Sequence, residues 1–129
     1  MTCFWDGLLR ELNANDKKML MSEQPDYSYR SLIKGLKARN RCVSNVLWQG
    51  EKLTHKIINE NVDHIKNYDT NSAKGGYLMS SFDPFMVLIC SLLRVDIEFE
   101  YNNNKIRYVC TTNHRRRKLN FRASTSHFY

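Results

Sequence analysis

Residues 83–101 read DPFMVLICSLLRVDIEFEY, and within them the hydrophobic period changes. From Phe85 to Leu93 the chain is apolar nearly all round, the pattern of a helix buried on every side. Asp83 and Pro84 stand in front of it as an N-cap and a first helical residue, which predicts a helix starting at Pro84. From Asp96 the period becomes two: Ile97, Phe99 and Tyr101 alternate with Asp96, Glu98 and Glu100, the mark of a strand with one buried face.

The alternation resumes after Asn102, Asn103 and Asn104. Ile106, Tyr108 and Cys110 lie on one side and Lys105, Arg107 and Val109 on the other. The two segments predict a hairpin whose polar face sets acidic residues against basic ones. A loop over 111–117 leads to a third strand, in which Leu119, Phe121 and Ala123 alternate with Lys118, Asn120 and Arg122. A small antiparallel sheet is therefore expected at the C-terminal end.

Upstream, the helical period dominates. Phe4, Trp5, Leu8, Leu9 and Leu12 line one side of a first helix, capped at Thr2 or Cys3, with Asp6 in its first turn. Residues 13–16, Asn-Ala-Asn-Asp, break the pattern, and 17–27 read as a loop containing Pro25. A second helix is expected over 28–39, with Tyr29, Leu32, Ile33 and Leu36 on one side and Arg30, Lys34, Lys37 and Arg39 on the other. After Val43, Val46, Leu47 and Trp48 a longer helix is expected over about 51–66, with Leu53, Ile57, Ile58, Val62 and Ile65 inward. Residues 69–76 form a polar, glycine-containing loop. The fold class is α+β, with N-terminal helices followed by strands, and 1–129 reads as one domain.

Composition narrows the function classes. With 42% hydrophobic residues the chain is expected to fold, and its formal charge of +7 favours an acidic partner. The longest apolar run is too short to cross a bilayer, and the N-terminus lacks the basic flank and apolar core of a signal peptide. No membrane association and an intracellular, soluble setting are expected. Cys3, Cys42, Cys90 and Cys110 show no CxxC or Cys/His spacing, and His55, His64, His114 and His127 are scattered. Neither a disulfide framework nor a metal site is expected. Cys42, Cys90 and Cys110 read as packing residues, Trp5 and Trp48 as core anchors, and His55 and His64 as solvated.

Cys3 is different because it stands at the first turn of a helix. There the helix dipole and unpaired backbone N–H groups favour the thiolate and can hold an oxyanion. Such a nucleophile needs an imidazole within about 3 Å, and His127, beyond the last strand, can supply it.

The order of these pieces, a cysteine on the first helix and a histidine after a late strand, resembles a papain-like arrangement. More closely it resembles the ovarian tumour (OTU) family of deubiquitinating cysteine proteases, in particular its viral members. CFWDGLLREL (3–12) is similar to that family's nucleophile helix, GGYLMSSFDPFMVLICSLLRVDIEFEY (75–101) to its central helix and following strand, and SHFY (126–129) to its terminal histidine and aromatic residue. The resemblance implies a thiol isopeptidase that cleaves after the C-terminal glycine of ubiquitin or a ubiquitin-like protein. It implies Cys3 as nucleophile, His127 as general base, no cofactor, and a cytoplasmic location, that of the host for a viral member. Asn120 is the candidate for orienting the imidazole.

A second reading comes from a different class. His114-Arg115-Arg116-Arg117-Lys118 is a basic run, and Arg30, Lys34, Lys37 and Arg39 offer a second cationic surface. A protease-like interaction module without activity, or a basic nucleic-acid-binding protein, would use them.

Overall fold

The computed structural model describes residues 3–22, 28–69, 79–101, 104–112 and 117–123. The expected loop around Pro25, most of the loop at 69–76 and the C-terminal residues 124–129, His127 among them, lie outside these.

Helix α1 (Cys3–Glu11) buries Trp5 and Leu8, and Leu12 just beyond its end, as their spacing requires. Residues 13–16 do not end the helical region. Asn13 instead caps a second helix, α2 (Ala14–Met21): its side chain accepts the Asp16 N–H at 2.8 Å, and the Asp16 carboxylate accepts the Asn13 N–H at 3.0 Å. This reciprocal capping satisfies two otherwise unpaired donors, so the expected loop over 17–27 is helical as far as Met21.

Helix α3 (Tyr29–Ala38) is capped by Ser28 and buries Leu32, Ile33 and Leu36. Gly35 lies so close to α2 that a Cβ there would stand 2.2 Å from the Leu20 carbonyl oxygen. Gly35→Ala is therefore expected to lower stability by about 1–3 kcal/mol, despite the better helix propensity of alanine. A urea midpoint equal to or above that of the wild type would contradict this packing.

The segment after α3 corrects the sequence reading. Strands β1 (Val46–Trp48) and β2 (Glu51–Lys52) form a hairpin across Gln49 and Gly50, both at positive φ (52° and 82°). That backbone matches the twist of a two-residue hairpin turn. The following helix, α4 (His55–Asn67), thus starts at the Thr54 cap and not near Glu51. Ile58 and Ile65 face inward, but Ile57 and Trp48 are 40% and 39% exposed, and Cys42 is exposed as well. The hairpin carries Trp48 to the border of the sheet, where the core covers only part of it.

Helix α5 (Met79–Leu93) begins well before Pro84 and continues through it. The proline forgoes the bond its missing N–H would have made one turn back, and in a helix interior its ring also crowds that carbonyl. Asp83, expected as the cap, instead accepts the Tyr108 hydroxyl. Phe85 to Cys90 are all buried, as the apolar run required. The helix closes on Arg94, at φ 55°, with the Val95 N–H donating to the Cys90 carbonyl at 3.2 Å, a closure that usually places glycine at the left-handed residue.

Strands β3 (Asp96–Tyr101) and β4 (Asn104–Cys110) pair as the expected hairpin, with Glu98 opposite Arg107 and Glu100 opposite Lys105. Strand β5 (Lys118–Ala123) lies on the far side of β3 and runs parallel to it. The described sheet is consequently mixed, in the order β2-β1-β4-β3-β5, and strands are not confined to the C-terminal part. Cys110 and Lys118 both lie at the Asp96 end of β3, so the chain returns past that end and β5 can only run alongside β3.

Val46, Ile97, Phe99, Tyr108, Leu119 and Phe121 lie buried on the face that packs against the helices. The opposite face carries Glu98, bridged at 3.1 Å by both Arg107 and Lys118.

Candidate active site

Cys3 is the first residue of α1, as the sequence indicated, and two residues on Trp5 is 1% exposed. The indole ring stands edge-on to Phe85 of α5 (centroids 4.9 Å apart) and to Tyr68 at the end of α4 (5.9 Å). Its Nε1–H donates to the Tyr68 hydroxyl at 3.3 Å. Burial pushes the Tyr68 phenol above its ordinary pKa, and the Asp69 charge adds to this against the opposing effect of the Trp5 hydrogen bond. The first turn of α1 is thus anchored by edge-to-face aromatic contacts on two other helices.

His64 belongs to the same cluster. Its ring lies 6.2 Å from that of Phe85 and 6.3 Å from that of Tyr68. The sequence places it on the polar side of α4, whereas the packing of α4 on α5 turns it half inward; no pattern local to α4 signals those contacts. His55, by contrast, is exposed as expected.

The other end of α1 is fixed by charge. Arg117, just before β5, holds the buried Asp16 carboxylate through two hydrogen bonds, at 2.7 and 2.5 Å. Burial by itself would raise the Asp16 pKa, but Arg117 and the Asn13 N–H together bring it below the ordinary carboxylate value. The sequence signal for this residue is the Asn-x-x-Asp spacing, read there as a helix breaker.

A carboxylate with a depressed folded pKa stabilises above its unfolded pKa and loses that contribution as pH falls through the folded value. Asp16→Asn is expected to lower stability by about 2 kcal/mol at neutral pH. The gap to wild type should narrow below about pH 4. Denaturant midpoints across pH would show it, and a gap that stays constant to pH 2 would contradict the assignment.

Helix α1 packs along β5. Arg117 ties the start of β5 to the segment that follows α1. His127 follows Ala123 by four residues in the chain. The Cys3 side chain and His127 are outside the described residues, so their separation is not part of this geometry.

Asn120 falls on the wrong face to orient an imidazole beside α1. Leu119 and Phe121 on either side of it are buried toward the helices, and Asn120 between them is exposed on the outer face, opposite Glu98. Among the remaining cysteines, Cys90 and Cys110 are buried, and burial drives the Cys90 thiol far above its ordinary pKa. No group of three or more metal-ligating side chains occurs among the described residues, and none of their helices is long and apolar enough to cross a membrane.

The chain was compared with protein-family models, with curated proteins and with solved structures, and it matches none of them.

Proposed function

We propose that the protein is an OTU-like cysteine isopeptidase acting on ubiquitin or a ubiquitin-like protein. What supports this reading is that α1, which begins at Cys3, packs on β5, the last described strand before His127 in the chain.

In this mechanism the Cys3 thiol gives its proton to the His127 imidazole, and the thiolate attacks the carbonyl of the C-terminal glycine. Backbone N–H groups at the start of α1 stabilise the oxyanion. The C–N bond breaks as the imidazolium returns the proton to the departing lysine amine. Water, deprotonated by the same imidazole, then hydrolyses the thioester and regenerates the thiol. The chemistry needs neither metal nor organic cofactor.

The test is release of a fluorophore attached through an amide to the C-terminus of ubiquitin, with a ubiquitin-like protein in parallel. Time-dependent release is expected from at least one of them. No release from either, by protein shown to be folded, would overturn the proposal.

A further inference from the structure

A cavity of about 850 Å³ opens at the end of α1 away from Cys3. Its lining brings together cations that are distant in sequence: Lys18 of α2, Arg94 at the α5–β3 turn, and Arg117 before β5. Asp16 is the one acidic residue among the lining residues, and Arg117 already holds it. The lining also has an apolar part: Met19, 55% exposed, together with the buried Leu93 and Val95.

Arg94 adds a separate argument. It occupies a left-handed position (φ 55°) that closes α5, where glycine would fit without strain. An exposed arginine there costs the backbone about 1 kcal/mol, and the chain nonetheless places an arginine in the lining of the cavity. In the sequence, Thr112 and Arg117, both lining residues, bracket His114, Arg115 and Arg116.

We infer that this cavity binds single-stranded nucleic acid, with backbone phosphates on Lys18 and Arg94 and a base against the exposed Met19. The cationic rim supplies the electrostatic attraction common to nucleic-acid binding, in a chain of formal charge +7. The apolar wall beside the cations favours an unstacked base over a bare polyanion, which offers nothing to cover it. The volume accommodates a nucleotide, and a duplex, with its bases stacked inside, would leave Met19 uncovered. The site stands apart from Cys3 and does not depend on the peptidase reading.

The test is fluorescence anisotropy of the full chain with labelled single-stranded RNA and DNA of about 12 nucleotides, from about 50 to 200 mM salt. Binding to at least one of them is expected, with log affinity falling against log salt at a slope of about −1.4 for two phosphate contacts. Arg94→Gly relieves the backbone strain, so it should keep or raise the thermal midpoint. It should nonetheless weaken binding several-fold and reduce the slope by about 0.7. The Lys18→Glu, Arg94→Glu double variant should lose at least about tenfold.

Absence of salt-dependent binding would overturn the inference, as would unchanged affinity in the folded double variant. Equal affinity for heparin, equally sensitive to the same substitutions, would also overturn it, because the surface would then be an undifferentiated anion site.

Discussion

On the proposed mechanism, Cys3→Ala is expected to reduce hydrolysis of a ubiquitin C-terminal amide by at least about 10³-fold. It removes the proposed nucleophile and leaves the backbone N–H groups of the first turn in place, so any residual rate would reflect binding and oxyanion stabilisation alone. No other described cysteine can stand in. Cys90 and Cys110 are closed off in the core, and the Cys90 Sγ–H is committed to the Val95 carbonyl at 2.9 Å. Cys42 is exposed but follows the end of α3, remote in sequence from any helix start. Cys42→Ser should retain full activity and serves as the matched control. A Cys3→Ala protein with more than about a tenth of wild-type activity would remove Cys3 from the mechanism.

Trp5→Ala is expected to cost about 3–5 kcal/mol. The indole is buried against Phe85 and Tyr68, and its N–H is satisfied by Tyr68, so truncation opens a cavity and strips the Tyr68 hydroxyl of a donor. Against a typical total of about 5–15 kcal/mol, that loss leaves a marginal fold. Trp5→Phe keeps an edge-to-face contact with Phe85 and should cost about 1–2 kcal/mol. Urea unfolding followed by circular dichroism separates the two, and a Trp5→Ala midpoint near that of the wild type would show that the start of α1 is not anchored through this ring. Because Trp5 is two residues from Cys3, the Phe variant should also lose activity out of proportion to its stability.

The parts of the fold legible in the sequence are those in which one element's own pattern decides the outcome. The all-round apolar run from Phe85 to Cys90 gives a buried α5, and the alternation from Asp96 to Cys110 gives the β3–β4 hairpin with acidic residues set against basic ones. Where two local signals share the same residues, the reading fails. Asn13 to Asp16 is both a plausible helix breaker and a reciprocal cap, and the cap prevails because α2 has Leu20 and Met21 to bury. Asp83-Pro84 reads as a helix start, yet the helix passes through it and the carboxylate serves Tyr108. Strands of two and three residues, as in β1 and β2, are too short for alternation to reveal. The partner of β5 is invisible for another reason: Leu119 and Phe121 specify which face is buried, not which strand lies alongside.

The candidate site shows the same division. Trp5 under the start of α1 follows from spacing, whereas His64 joins the cluster only through the packing of α4 on α5, and Asn120 is excluded only by the face that β5 presents. The proposed pairing of Cys3 with His127 rests on chain order together with the packing of α1 on β5.

That pairing is tested most directly by a ubiquitin carrying an electrophile at its C-terminus, with the labelled peptide identified by mass spectrometry. One covalent adduct at Cys3 is predicted, lost in Cys3→Ala and strongly slowed in His127→Ala. Labelling at Cys42 alone, or none at all in protein with native circular dichroism, would contradict it.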